Sequence, residues 1–124
     1  MVKVLIKSDS RFPIDRKIIR RAIAETLSSN RGTDNVEISV AVVGQRKMNE
    51  LSYKFLKDRQ KHEVLSFPLE DFRIMPDKVV RLGDIVLCWP QVLLAARRDG
   101  VMVDDEVYQL TSHSVEHLLG KHHE

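Results

Sequence analysis

A single cysteine, Cys88, excludes an internal disulfide, so no covalent staple supports this chain. Cys88 lies in the apolar run Ile85-Val-Leu-Cys-Trp89, where a free thiol packs as a small buried hydrophobe. Aromatic residues are scarce: one Trp, two Tyr and four Phe are too few for an extended base-stacking platform. No apolar run is long enough to span a membrane. The run at the amino terminus is broken by Lys3 and Lys7, too short for a signal segment, and secretion is not expected. Repeats and low-complexity segments are absent. Neither sign of charge dominates: 20 Lys and Arg against 18 Asp and Glu give a formal net charge of +2. Interspersed charge of this kind belongs to a soluble globular protein rather than to a tail or a coat for nucleic acid. The pI near 8.8 is compatible with RNA without requiring it.

What is present suffices for one core. With 124 residues, 43% of them hydrophobic, a single domain over residues 1–124 is expected. Residues 2–7 read as a first strand ending at Ser8-Asp9-Ser10. A helix is expected over residues 14–29, its apolar stripe made by Ile14, Ile18, Ala22, Ile23 and Leu27, with Asn30 and Gly32 as stop signals. Val36, Ile38, Val40 and Val42 alternate as in a strand with one buried face. Met48, Leu51 and Phe55 return to helical period, and residues 64–67 form another short strand before Pro68.

Residues 70–81, charged and containing Pro76, read as a loop with room for a short edge strand, followed by a strand over residues 84–88. Pro90 and Gly100 bracket a short helix over residues 91–99. Asp104, Asp105 and Glu106 suit the start of a last helix near Val103, which Gly120 would end. The order predicts an α/β fold: one mixed β-sheet packed by helices, with a metal site at the C-terminal helix.

That site is read from the histidines. Four of the five fall within His113-Ser-Val-Glu-His117-Leu-Leu-Gly120-Lys-His122-His123-Glu124. His113 and His117, four apart on a helix, project from one face and can share a metal ion. Gly120 can take the left-handed conformation that ends a helix and turns His123 back to the same ion, with His122 one residue short of the spacing. Three imidazoles suit one zinc ion at about 2.0 to 2.1 Å and leave a fourth position for water, as at catalytic sites. The competing reading is a solvated helix end or a purification tag. Tags place histidines consecutively, and apart from His122-His123 these are spread out.

Two groups share the spacing HxxxHxxGxxH: the metzincin proteases and the YbeY family. The proteases need Glu directly after the first histidine as general base, and Ser114 stands there. After His123 only Glu124 follows here, so the methionine turn of those proteases is not seen. The chain instead resembles the YbeY family in three ordered blocks: Glu63-Val-Leu-Ser-Phe-Pro68, Leu82-Gly-Asp-Ile85 followed by Val86, and His113 to His123. Met48-Asn-Glu-Leu-Ser52 leading into a basic loop agrees more loosely.

The resemblance implies a cytoplasmic, metal-dependent endoribonuclease, selective for single strands. It would mature ribosomal RNA, including the 3′ end of the small-subunit RNA, with the ribosome or a ribosomal protein as partner. Departures from the family pattern are Leu56 for its usual Arg, His62-Glu63 for Thr-Asp, Glu116 for Leu, and Lys121-His122 for Tyr-Asp. A guanidinium near the scissile phosphate both binds it and stabilises its growing charge. Lys57 and Arg59 are the candidate catalytic substitutes, against the plainer reading of both as solvated surface charges; Lys54 and Lys61 are weaker candidates. Ser66 either points into the cleft or faces out, and Glu116 reads as a surface carboxylate. Two alternatives stay open: a zinc-containing assembly factor that binds RNA without cleaving it, and a zinc protease.

Overall fold

A computed structural model describes residues 2–29, 35–69 and 79–120. In chain order the elements are β1 (Val2–Ser8), α1 (Arg16–Ser29), β2 (Val36–Val43), α2 (Gln45–Leu56), β3 (Val64–Pro68), β4 (Val80–Cys88), α3 (Trp89–Asp99) and α4 (Val103–Leu118). The strands form one sheet in the order β1-β2-β4-β3. β1, β2 and β4 run parallel, and β3 closes one edge antiparallel to β4. This is the mixed α/β sheet expected from the order of elements.

Alternation assigns the two faces. Ile38, Val40 and Val42 of β2 and Ile85 and Leu87 of β4 share a core with Ile19 and Ile23 of α1 and with Val107, Val115 and Leu118 of α4. Val86 and Cys88 point the other way, into a smaller cluster with Met48 of α2 and Leu65 of β3. α1 and α4 therefore cover one face, and α2 covers part of the other. Cys88 is fully buried, as its apolar neighbours predict, and burial pushes its thiol pKa up. Among the described residues, no helix is long and apolar enough to cross a membrane.

Three boundaries differ from expectation. β4 starts at Val80 rather than Asp84, so Val80 and Arg81 belong to the sheet; residues 70–78 lie outside the described part. A charged residue is accommodated there because Arg81 lies opposite Glu37 of β2, with Nε 3.3 Å from its carboxylate. α1 begins at Arg16, and Ile14 packs on the core from the preceding segment while Ile19, absent from the predicted stripe, is fully buried. α3 begins at Trp89, taking Pro90 into its first turn, where a missing N–H costs nothing.

The acidic start of α4 is present as expected, but its members differ in role. The Asp105 carboxylate accepts from the Met102 N–H at 3.3 Å, closing the helix start. Glu106 is buried at 8% exposure, beside Asp99, Glu63 and Arg98. Burial, then the neighbouring Asp99, raises its carboxyl above the usual range. A raised folded-state pKa means that ionising Glu106 opposes folding, and this begins once pH passes the unfolded value of about 4.3. Glu106→Gln should accordingly raise the melting midpoint at pH 7, with the gain shrinking toward pH 4. An equal gain at both pH values in thermal melts would assign the effect to packing instead of charge.

Candidate active site

α4 buries Val107, Thr111, Ser114, Val115 and Leu118 against the sheet and α1. That face fixes the helix rotation, which leaves His113 exposed and His117 half-buried one turn later. His117 Nδ1 is hydrogen-bonded to Ser66 Oγ of β3. Ser66 is directed there by alternation: Leu65 and Phe67 belong to the α2 side of the sheet, so the residue between them faces α4. Of the two orientations the sequence left open for Ser66, the one toward the histidines is present.

This contact bears on metal binding. Metal-ligating histidines commonly have their second ring nitrogen held by an oxygen, which fixes ring orientation and tautomer. With Nδ1 on Ser66, a metal would be met by Nε2. Beyond α4, Gly120 adopts φ 81 and its N–H donates to the His117 carbonyl at 2.9 Å, so the chain turns where a third imidazole would have to return. His122 and His123 lie outside the described residues, and no group of three metal-capable side chains is present within them. Two imidazoles one turn apart, one oriented by a hydroxyl, are a donor set that fits zinc.

Ser114, at the position of a protease's base, is buried and donates to the Leu110 carbonyl at 2.8 Å, so it faces its own helix. Glu116 is exposed, as read from the sequence.

Lys57 and Arg59 follow the end of α2. Lys57 caps α2 in the left-handed region, φ 57, its N–H donating to the Tyr53 carbonyl at 3.1 Å. Lys57 Nζ lies 5.9 Å from the Tyr53 ring centre and Arg59 Cζ 5.2 Å from it. α2 packs on the sheet face opposite α4, and among the described contacts none joins Lys57 or Arg59 to His113 or His117. Lys54 lies over Phe55, 5.3 Å from the ring centre; Leu56, in the family's arginine position, is 46% exposed.

Sequence reasoning missed the residues that anchor this basic loop. The Asp58 carboxylate accepts from Ser52 Oγ, which is fully buried, and from the Gln60 N–H at 3.3 Å, with His62 Nε2 3.1 Å away. Hydrogen bonds from Ser52, then His62, hold the Asp58 pKa below its usual value. Ser52 sits six residues before Asp58, with a helix end between them, so no helical or strand period links the two.

The Leu82-Gly-Asp-Ile85 block also acquires a physical reason. Gly83, at φ 146, lies where β3 and α4 converge. A Cβ there would fall inside van der Waals contact of the Phe67 carbonyl oxygen, 2.9 Å from Leu118 Cδ2 and 3.0 Å from Pro68 Cα. Its absence lets α4 and β3 approach closely enough for Ser66 to meet His117.

The chain is thus a small α/β protein whose last helix carries two imidazoles one turn apart, one of them held against an edge strand, within the sequence spacing HxxxHxxGxxH. The chain belongs to the YbeY endoribonuclease family: a family model described as Endoribonuclease YbeY matches residues 6–124. A relative of that name from Caldicellulosiruptor bescii is 36% identical over 116 residues, 86% of this chain and 73% of its own length. Another, from Dehalococcoides mccartyi, is 28% identical and covers 99% of this chain and 84% of its own. The solution structure of TM1509 from Thermotoga maritima shares the fold, with a TM-score of 0.55 at 16% identity over 99% of this chain and 92% of that one.

Proposed function

We propose that the protein is a single-strand-specific, zinc-dependent endoribonuclease that acts in the cytoplasm on ribosomal RNA, including the 3′ end of the small-subunit RNA, with the ribosome or a ribosomal protein as partner. Family membership supports cleavage of RNA. The observation that carries the metal dependence is the contact of His117 Nδ1 with Ser66, one turn after His113. His113, His117 and His123 would hold one zinc ion per chain. A bound zinc ion supplies a Lewis acid for phosphodiester hydrolysis.

The chain's own residues orient and bind. Ser66 fixes the His117 ring, and burial of Val115 and Leu118 on either side of Glu116 and His117 fixes the helix face that presents it. Lys57 and Arg59 bind RNA phosphate. The exposed Leu56 in the arginine position favours a second reading, an assembly factor that binds RNA and zinc without cutting. Ser114, turned to its own helix, disfavours the protease.

The test is metal removal. Purified protein should contain one zinc per chain by elemental analysis and cut unpaired RNA in preference to duplex. Chelation should abolish cutting and zinc should restore it. Cleavage that survives chelation overturns the metal-dependent reading. Zinc with RNA binding and no cleavage selects the assembly factor, and peptide cleavage selects the protease.

A further inference from the structure

On the α2 flank lies a small polar hollow of about 390 Å³, lined by Asn49, Tyr53, Asp58, Arg59 and Gln60. We infer that it takes one unpaired base of the RNA substrate, stacked on the Tyr53 ring, with the flanking phosphates on Lys57, Arg59 and Lys54. The inference rests on the RNA-cleaving reading above and adds to it a base-binding site whose lining includes neither His113 nor His117.

Four observations converge on it. Tyr53 is 53% exposed although it is a large ring on a helix that packs on the sheet. Its face is attended by cations, Arg59 Cζ at 5.2 Å and Lys57 Nζ at 5.9 Å. A ring bordered by a guanidinium is the pairing on which splayed-out bases stack. Second, the hollow is at the small end of the range for ligand pockets, about 300 to 1,000 Å³, which suits one ring system. Asn49 and Gln60 offer it amide donors and acceptors, and the Asn49 side chain is already oriented by Gln45 Nε2, which donates to its Oδ1 at 2.8 Å.

Third, the site is built in advance. Asp58 ties the loop to buried Ser52, to His62 and to the Gln60 N–H, and Lys57 is held at φ 57, a conformation that L side chains rarely adopt. Local strain kept by surrounding hydrogen bonds gathers at sites that bind or act. Fourth, charge favours nucleic acid over protein: Lys54, Lys57, Arg59 and Lys61 stand against Asp58 alone between residues 54 and 61. The Asp58 carboxylate is engaged by protein donors.

Ser66 and Phe67 are adjacent in β3 and face opposite ways, Ser66 to His117 and Phe67 to Phe55 of α2, with ring centres 5.2 Å apart.

Equilibrium binding of a labelled single-stranded RNA to the zinc-loaded protein tests this, beside an abasic oligonucleotide of the same length. Tyr53→Ala should weaken binding of the base-bearing RNA by about 5- to 150-fold, the range for loss of one base stack. Tyr53→Phe should keep it. Abasic RNA should bind the wild type weakly and be indifferent to Tyr53→Ala. Lys57→Ala should instead reduce the salt dependence, by about 0.7 in the log–log slope. Equal affinity of wild type and Tyr53→Ala for base-bearing RNA, in a protein that still cuts RNA, overturns the base site alone. A wild type that neither binds nor cuts RNA overturns the proposed function with it.

Discussion

His117→Ala should yield a folded protein that no longer retains zinc and cuts RNA about 10³-fold more slowly, since Lewis-acid stabilisation is worth several kcal/mol. The fold should survive because His117 is only half-buried, whereas its neighbours Val115 and Leu118 carry the packing of α4. His113→Ala, at an exposed position, should lose metal and activity alike without a change in melting. Ser66→Ala separates ligand from orienter: both imidazoles remain, but the His117 ring loses the oxygen at Nδ1. Metal affinity should then fall by about 10- to 100-fold, the usual effect of removing such a partner. Elemental analysis and a competitive zinc titration read all three variants. A His117→Ala protein that keeps its zinc, or cuts at the wild-type rate, would remove this histidine from the site.

Among the described glycines, Gly83→Ala should be the most destabilising substitution. Two costs add: alanine strains at φ 146, and its Cβ meets the Phe67 carbonyl oxygen, Pro68 and Leu118. Strain and overpacking each cost about 1 to 3 kcal/mol, so a loss of about 3 kcal/mol or more is expected. In a domain of this size that lowers the melting midpoint by roughly 10 to 15 °C. Backbone atoms cannot swing aside as the Leu118 side chain can, so relief must come from moving β3 away from β4 and its neighbours. That parting separates Ser66 from His117, and zinc affinity should fall with stability. A Gly83→Ala protein with wild-type melting and zinc retention would contradict this account.

The parts legible in the sequence were those set by local period and by caps. β2 alternates without a break, and its burial alternates with it. α3 runs from Pro90 in its first turn to Gly100, and α4 starts at its acidic run. The pair His113 and His117 was legible because spacing along a helix fixes direction. Ser66 was not, because alternation says that neighbours face apart but not which face receives the helix. Nor was the true start of β4, whose Arg81 finds its partner Glu37 on a different strand. The meeting of Phe55 with Phe67, ring centres 5.2 Å apart, was not legible either, since it depends on how α2 packs beside β3.

β3 holds one of the two outer positions in the sheet and spans only Val64–Pro68. Short edge strands are among the first elements to fray in native-state hydrogen exchange. Each time β3 frays, Ser66 leaves His117, and the orientation of that ring is briefly lost. By mass action a bound ion opposes that opening. Zinc would thus protect the amides of β3 as well as serve the reaction, and a chain deprived of metal would expose its own strand edge to proteases and to other chains.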